Sequence, residues 1–233
     1  MTETCAAFFD ALDGRLERYN LLKHPFYEAW SKGELTREDL REYASEYWHH
    51  VSAFPAYLSA LHSRLPDGKL RRVVLENLAD EEGLHNGTPH SDMWMDFARG
   101  MGADSAEVRS RNLALETRAL LDRFRAAMKE SPAAALTALY AYESRVPAIA
   151  KTKADGLAEH YGADSATRRY FTVHMSADVH HARVWRRALT AELAAHPEET
   201  EAALAAGEDA ARALWTALDG IEHTRQARLA ATA

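Results

Sequence analysis

Three side chains of the kind that bind metals are spaced along one predicted helix in the second half of the sequence. His174, Asp178 and His181 follow one another at intervals of four and three residues. At about 100° per residue, their side chains fall within about 60° of arc on one helix face. Two imidazoles and a carboxylate are costly to bury alone, and a first-row transition metal is a partner that suits them. His180 lies about 100° away from His181, so we do not expect it to be a ligand. The alternative is an exposed polar stripe that contains one hydrogen-bonded core histidine.

Glu143 is a candidate ligand from another helix. It lies in an otherwise apolar stretch, residues 139–147, where an unpaired carboxylate is expensive to bury. Pro147 removes the hydrogen bond to the carbonyl group of Glu143, which predicts a kink beside it. The alternative for Glu143 is a salt bridge with Arg145 or with a lysine.

Glu81 and His90 form a second candidate pair. They are nine residues apart, about 180° around a continuous helix, so they can share a site only if the helix breaks between them. The stretch 83–89, which contains glycine and proline, predicts that break. We expect His85 to turn outward with it. A solvated acidic helix end is the alternative for Glu81 and its neighbour Glu82.

Two Glu-x-x-His motifs would allow a different metal centre. Glu46 and His49 form one motif, and Glu82 and His85 form the other. In ferritin-like di-iron bundles, further glutamates come from two other helices. Between His49 and Glu82 the only glutamates are Glu76 and Glu81, and both belong to the same predicted helix as the second motif. The helix for an intervening carboxylate is therefore missing, and a ferritin-like centre is the weaker prediction.

The elements that must position these residues are helices, and we predict an all-α fold. Helix-forming residues fill nearly every segment, and alternating β-branched runs are absent. The short interruptions are turns or caps, so we expect residues 1–233 to form one domain, with residues 1–20 and 225–233 peripheral or frayed. Helices are predicted near residues 4–20, 24–32, 36–63, 67–84, 90–101, 105–130, 133–161, 165–195 and 198–224.

Composition and charge exclude several classes of protein. A net charge of -7, with 28 dispersed basic residues, offers no basic surface for nucleic acid. With 47% hydrophobic and 27% charged residues, the chain is globular rather than disordered. No apolar run is long enough for a membrane helix and no signal-peptide pattern is present, so we expect a cytoplasmic protein that does not associate with membranes. The single cysteine, Cys5, cannot form an internal disulfide.

Taken together, the motifs resemble the haem-oxygenase-like di-metal oxidases. Among them, the sequence is most similar to the self-sacrificing para-aminobenzoate synthases, the group of the chlamydial protein associating with death domains. The resemblance spans about residues 20–195. It rests on five pieces of sequence: His24-Pro-Phe-Tyr27-Glu-Ala-Trp30, Asn77-Leu-Ala-Asp-Glu81-Glu82-Gly83, His90-Ser-Asp-Met-Trp94, Tyr142-Glu143-Ser-Arg-Val-Pro147 with Lys153, and His174-x3-Asp178-x2-His181.

The resemblance implies a seven-helix bundle of haem-oxygenase type, like TenA and PqqC proteins, that binds two metal ions, Fe/Fe or Fe/Mn, instead of haem. O2 is the implied oxidant, together with an external reductant. The spacing of nine residues between Glu81 and His90 is longer than the family pattern, so Glu82 or His85 could replace one of them. The family's ligand pattern falls on Glu81, His90, Glu143, His174, Asp178 and His181.

In the para-aminobenzoate branch, the resemblance implies that a tyrosine of the protein supplies the carbon and a lysine the nitrogen. The matching positions are Tyr27 and Lys153. Lys153 follows Glu143 by ten residues, about 80° around a helix and about 15 Å along it, so we expect Lys153 at the side or mouth of the metal pocket. Possible redox relays are Tyr43, Tyr142 and Trp94.

Other functions stay open on the sequence alone. Related di-metal enzymes cleave or N-oxygenate external amino acids or decarboxylate fatty acids. A metal-free hydrolase of the TenA type needs a buried cysteine nucleophile, for which Cys5 is badly placed, and a quinone-cofactor synthase is a further metal-free alternative. A protein-interaction module would give no reason for six matched metal-type residues. We expect O2 and a small-molecule product or substrate as partners, and a homodimer is compatible with the sequence.

Overall fold

In the computed structural model, the described residues are 3–84 and 87–232, and they form α-helices and two short 3₁₀ turns, with no β-strand among them. The all-α prediction is therefore confirmed. The described part of the chain contains more α-helices than the seven that the resemblance implied. These are α1 (Glu3–Glu17), α2 (Pro25–Ser31), α3 (Arg37–Arg64), α4 (Lys69–Glu81), α5 (His90–Gly100), α6 (Ser105–Ser110), α7 (Leu115–Ala127), α8 (Pro132–Glu143), α9 (Val146–His160), α10 (Ser165–Ala195) and α11 (Thr200–Thr232).

Contacts with α3 keep the chain between α6 and α7 from forming a helix. Glu46 of α3 accepts hydrogen bonds from Arg111 Nε at 2.6 Å and from the Ala114 backbone N–H at 2.8 Å. His49 Nε2 contacts the Val108 carbonyl oxygen at 2.9 Å, within hydrogen-bond distance. These bonds occupy backbone groups that a continuous helix would use. The prediction of one helix over residues 105–130 is therefore wrong.

The kink predicted beside Glu143 is confirmed, and it is a complete break. α8 ends at Glu143 and α9 begins at Val146, with Pro147 in the first turn of α9. Proline fits a first helical turn, where its missing N–H has no helical partner to lose. The expected single helix over residues 133–161 is thus two helices, and Glu143 is the last residue of the buried α8.

The N-terminal helix contributes to the core. Phe8, Phe9 and Leu12 of α1 are buried, and α1 packs against α11. The expectation that residues 1–20 are peripheral is wrong for this helix, because its apolar residues recur at helical spacing and face the bundle. The start of the C-terminal segment is anchored too, since Arg228 of α11 pairs with the buried Asp39 of α3.

Four helices carry the six predicted metal ligands, namely α4, α5, α8 and α10. α10 packs along α5, α8 and α9, and α3 packs against α4 and α5. The start of α3 is fixed by a capping box: the Thr36 backbone N–H donates to Asp39 Oδ2 at 2.7 Å, and the Asp39 N–H donates back to the Thr36 hydroxyl at 3.1 Å. Among the described helices, none is both long and apolar enough to span a membrane.

Candidate active site

Two groups of three buried side chains meet between α4, α5, α8 and α10. Within each group, one oxygen or nitrogen atom from every member lies within 4.8 Å of the others. A small cavity, here called the metal cavity, is lined by members of both groups, so the groups adjoin. The structure thus brings together all six predicted ligands. The first group is Glu81, His90 and His174, and the second is Glu143, Asp178 and His181.

The predicted stripe on α10 faces the centre of the bundle. His174, Asp178 and His181 are buried, whereas His180 is exposed, as their angles on the helix predicted. Tyr170 precedes His174 by one turn and Trp185 follows His181 by one turn, and both are buried in the same stripe. One face of one long helix therefore supplies half of the site.

The predicted break between Glu81 and His90 is confirmed. α4 ends at Glu81 and α5 begins at His90, which brings Glu81 Oε2 to 3.0 Å from His90 Nδ1. Gly83 makes the turn possible: its φ is +73°, and a Cβ atom there would lie 2.4 Å from the carbonyl carbon of Thr88. Glu82 is exposed, so it does not point into the site in place of Glu81. His85 lies outside the described residues.

Hydrogen bonds fix which atom of each α10 histidine faces the centre. His174 Nδ1–H donates to the Tyr170 carbonyl at 2.7 Å, which leaves Nε2 as the free ligand atom. His181 Nε2–H donates to Asp80 Oδ2 at 3.1 Å. This leaves His181 Nδ1 toward the second group, 3.4 Å from Asp178 Oδ1. A histidine whose outer nitrogen is bound to a carboxylate or a carbonyl is typical of metal sites.

Several buried polar atoms of the two groups have no hydrogen-bond partner in the described part of the chain. They are both ring nitrogens of His90, Nδ1 of His181 and Oδ2 of Asp178. The 3.0 Å approach of His90 to Glu81 is an ion-pair contact without the alignment of a hydrogen bond. Buried groups of this kind are normally paired, and metal ions would bind one ring nitrogen of His90, Nδ1 of His181 and the Asp178 oxygen. The donor set therefore fits metal ions.

The electrostatics of the site point the same way. Burial raises the pKa of the Glu81 carboxyl, but the close contact and charge of His90, together with the charges of His174 and His181, lower that pKa below its ordinary value. Burial raises the pKa of Glu143, and the charge of Asp178 adds to this although His181 opposes it. Burial would lower the pKa of His181, yet the neighbouring carboxylates raise it. In the metal-free protein, protons on Glu143 and His181 therefore offset part of the negative charge of the site, in the place that cations would take.

Lys153 lies at the centre of an aromatic cluster. Its Nζ is 2.7 Å from Tyr27 Oη and 2.5 Å from Tyr43 Oη, and the two hydroxyl oxygens are 2.9 Å apart. Lys153 is only 5% exposed, and burial lowers its pKa well below the ordinary value. Its Nζ lies between 4.2 and 5.8 Å from the ring centroids of Tyr27, Trp30, Tyr43, Tyr47, Trp94 and Phe171.

The expectation that Lys153 lies at the side or mouth of the metal pocket is wrong, because Lys153 does not line the metal cavity. It assumed one continuous helix from Glu143 to Lys153, whereas α9 starts anew at Val146. Helical angles counted from Glu143 do not carry across that break. Lys153 instead borders a separate cavity, here called the lysine cavity, which is also lined by Tyr27.

Two tyrosines separate the lysine cavity from the metal cavity. Tyr142 and Tyr170 line both cavities. The Tyr170 ring stacks on His174 at 3.9 Å between centroids and meets Trp94 edge-on at 4.8 Å. The ring centroids of Trp94 and Tyr43 are 5.8 Å apart, and the Tyr43 hydroxyl contacts the Tyr27 hydroxyl. A continuous row of rings thus joins the first group of candidate ligands to Tyr27.

Sequence analysis did not identify several residues that contact the predicted ligands. Trp185 Nε1–H donates to Glu143 Oε2, and Asn77 Nδ2–H donates to Glu143 Oε1 at 3.4 Å. Tyr170 and Trp185 extend the α10 stripe by one turn in each direction, so helical periodicity could have identified them. Asn77 lies four residues before Glu81 on α4, so the same helical spacing could have identified it. Asp80 directly precedes Glu81, and helical spacing does not indicate it.

The alternative ferritin-like motif has a structural role at Glu46 and His49. Both residues contact the chain from Val108 to Ala114, as described above, and neither belongs to the two groups. These contacts leave Glu46 and His49 facing the α6–α7 connection. The ferritin-like arrangement is not favoured.

Comparison with known proteins agrees with this geometry. The sequence profile of a family described as iron-containing redox enzymes matches residues 41–215. A protein from Nitrosomonas europaea named 4-aminobenzoate synthase is 41% identical over 234 residues, covering 95% of this chain and 94% of that protein. A protein of the same name from Chlamydia muridarum is 44% identical and covers 78% of this chain and 77% of that protein.

A solved structure supports the fold class. A protein from Shewanella denitrificans, described as having a heme oxygenase-like fold, matches with a TM-score of 0.80 at 18% identity. The match covers 95% of this chain and 93% of that one, so the haem-oxygenase-like fold is confirmed. By the profile match and the identity to these relatives, the chain belongs to the family of iron-containing redox enzymes.

Proposed function

We propose that this protein is a di-metal oxygenase that converts its own Tyr27 into para-aminobenzoate and takes the amino group from Lys153. The names of the two relatives, 4-aminobenzoate synthase, support this reaction. The single observation that carries it is the distance of 2.7 Å between Lys153 Nζ and Tyr27 Oη. Such a product would serve folate synthesis.

The chemical difference between a tyrosine side chain and para-aminobenzoate explains why this contact matters. An amino group replaces the phenolic hydroxyl, which leaves as water, and the Cε–Nζ bond of Lys153 must break to supply that nitrogen. Cβ becomes the carboxylate carbon by oxidation, with O2 as the oxidant, once the Cα–Cβ bond is broken. The nitrogen must therefore reach the ring carbon that carries Oη. Lys153 Nζ lies 2.7 Å from that Oη, and burial lowers the pKa of the amine, which favours its neutral and nucleophilic form.

The two buried groups would hold the metal ions. Three carboxylates and three imidazoles suit a pair of Fe ions or an Fe/Mn pair, and three negative ligands offset much of a +4 charge. When bound, such ions supply the redox chemistry by which O2, with electrons from an external reductant, can oxidise a side chain. The protein's own contribution is to hold the ligands and to exclude water from the buried site.

The row of rings gives oxidation a path from the metal cavity to Tyr27. Tyr170, Trp94 and Tyr43 occupy the intervening positions, and Tyr142 borders both cavities. Tyr43 also accepts a hydrogen bond from Lys153 and contacts the Tyr27 hydroxyl, so it can take or return the phenolic proton. Tyr43, Tyr142 and Trp94 are thus proposed relays, and Tyr170 joins them.

The lysine cavity favours an internal substrate over an external one. Its free volume is about 40 Å³, room for a few water molecules and too little for an amino acid or a fatty acid beside an intact Tyr27. If the ring of Tyr27 is itself the reactant, no further space is needed. The protein then reacts about once per chain.

Isotope labelling tests the proposal. Protein that contains ring-labelled tyrosine and ¹⁵N-labelled lysine is loaded anaerobically with iron, with or without manganese, and then exposed to O2 and a reductant. Both labels should appear in released para-aminobenzoate, in a yield at or below one per chain. Tyr27→Phe should give none, whereas Tyr57→Phe, which changes a buried tyrosine outside the lysine cavity, should still react.

Many turnovers on an added amino acid, with Tyr27 intact by mass spectrometry, would refute self-sacrifice. That result would favour the external-substrate oxygenase. Metal analysis of the same samples, with and without manganese, compares Fe/Fe with Fe/Mn.

A further inference from the structure

Two basic residues line the lysine cavity among aromatic and aliphatic side chains. Lys153 is one, and Arg145, at the N-terminus of α9, is the other. The remaining lining residues are apolar or tyrosine, and none of the described residues that line this cavity is acidic. A flat aromatic molecule with one anionic group would match such a lining.

Arg145 makes two long ion pairs, which leave its guanidinium N–H groups available to a ligand. Its guanidinium lies 3.7 Å from Asp13 Oδ1 and 3.6 Å from Glu17 Oε2, and neither contact is short enough for a hydrogen bond. Glu17 is already bonded to Lys23 Nζ at 2.7 Å. The Arg145 side chain is 35% exposed, so it lies where the cavity reaches the surface.

The spacing of the two basic residues fits a para-substituted ring. Arg145 and Lys153 are eight residues apart, about 12 Å along the helix axis. A benzene ring with a group at each end is shorter than this, and the two side chains can cover the difference. The fork of a guanidinium binds a carboxylate through two parallel hydrogen bonds.

From these observations, we infer that the lysine cavity is a binding site for an aromatic carboxylate, with Arg145 as the residue that recognises the carboxylate. This inference rests on the proposed function, in which a para-aminobenzoate anion forms in this cavity. Its amino group would lie where the Lys153 amine lay before the reaction, and its carboxylate would pair with Arg145 as the molecule moves toward the surface. Arg145 is then the residue through which the product is held and released.

Binding to metal-free protein tests this inference without synthesis. The Tyr27→Ala variant removes the ring from the cavity and makes room for a ligand. Para-aminobenzoate, benzoate and aniline are titrated separately against this variant by calorimetry. We expect both carboxylates to bind and aniline not to bind.

Substitution of Arg145 in the same background identifies the recognising residue. Adding Arg145→Gln should weaken benzoate binding at least tenfold, and Arg145→Lys should weaken it less. Arg18→Gln is the matched control, because Arg18 directly follows Glu17, an ion-pair partner of Arg145, but does not line the cavity. If Tyr27→Ala does not give a cooperative melting transition, the series is repeated in Tyr27→Leu.

The outcomes separate the two proposals. Benzoate that binds equally with and without Arg145, or does not bind at millimolar concentration, would overturn the carboxylate site. Carboxylate binding that depends on Arg145, in a protein whose loaded wild type releases no labelled para-aminobenzoate, would support the site and refute the synthase.

Discussion

At the scale of single residues, a buried lysine beside two tyrosines lowers the stability of the fold, and the proposed reaction needs this lysine. Lys153 contacts no carboxylate in the described part of the chain, and burial lowers its pKa. In the unfolded chain the same amine titrates near its ordinary value, about 10.4. Between the two pKa values, the unfolded state binds one more proton than the folded state. The free energy of unfolding therefore rises with pH across this window.

Lys153→Met should remove that pH dependence. We expect the variant to be more stable than the wild type at pH 7, and the difference to shrink as the pH rises toward about 10.4, by about 1.4 kcal/mol for each pKa unit between the two states. Urea unfolding measured from pH 6 to 10 gives the two slopes. Lys151→Met, at an exposed lysine on the same helix, is the control and should leave the slope unchanged. Equal slopes for wild type and Lys153→Met would mean that Lys153 is charged in the fold.

Asp80 makes a second testable contact at this scale. Its carboxylate holds the outer nitrogen of His181, and removing such a partner typically weakens metal binding about 10- to 100-fold. Asp80→Leu should lower the affinity for Fe²⁺ or Mn²⁺ by that amount, and Asp80→Asn, which keeps an acceptor oxygen, should lower it less. Asp92→Asn removes an exposed carboxylate near His90 and serves as the control for charge alone. Metal titration by calorimetry measures all three, and equal affinities for Asp80→Leu and Asp92→Asn would contradict a positioning role.

At the scale of elements, the site depends on where helices end. Glu81 ends α4, His90 begins α5, and Glu143 ends α8, so three of the six candidate ligands lie at helix termini. The other three lie within the long α10. Helical spacing can predict the second kind. The three ligands at helix termini were predicted only because glycine and proline residues mark the breaks between helices.

The turn after α4 provides a prediction at this scale. Gly83→Ala would place a Cβ atom 2.4 Å from the backbone of Thr88, so the turn must open and separate Glu81 from His90. We expect a loss of stability above the cost of a left-handed alanine, about 1 to 2 kcal/mol, together with weaker metal binding. Gly87→Ala is the matched control, because Gly87 has a φ of +74° but open space around it. Thermal melts and metal titrations of both variants should differ, and equal losses would show that the contact with Thr88 is unimportant.

Local patterns could predict the helical class, the α10 stripe and the two breaks that proline and glycine mark. They could not predict the break between α6 and α7, because it is made by Glu46 from a distant part of the chain. The burial of Lys153 was missed for a related reason, since its direction depends on how α9 packs after the break. Single-sequence patterns report local preference, and tertiary contacts decide where that preference is overridden.

At the scale of the whole molecule, the candidate metal site ties together helices from both halves of the chain. α4 and α5 supply one carboxylate and one imidazole, and α8 and α10 supply the other four ligands. Without a cation, several buried polar atoms at this junction have no hydrogen-bond partner among the described residues. A ligand that binds only the folded state stabilises it by about 2.7 kcal/mol at a free concentration of 100 times its Kd. Bound metal should therefore connect these helices and raise the free energy of unfolding of the bundle.

Metal loading should raise the melting temperature by about 5 to 10 °C under those conditions, since about 1 kcal/mol corresponds to about 2 to 4 °C for a chain of this size. A chelator should reverse the shift. Acid should diminish it, because protons compete with metal for His181 and for the carboxylates around it. His174→Gln should lose most of the shift and bind fewer metal ions by elemental analysis. His180→Gln, which changes an exposed histidine on the same helix, should keep both. A full metal-dependent shift in His174→Gln would remove His174, and with it the first group, from the metal site.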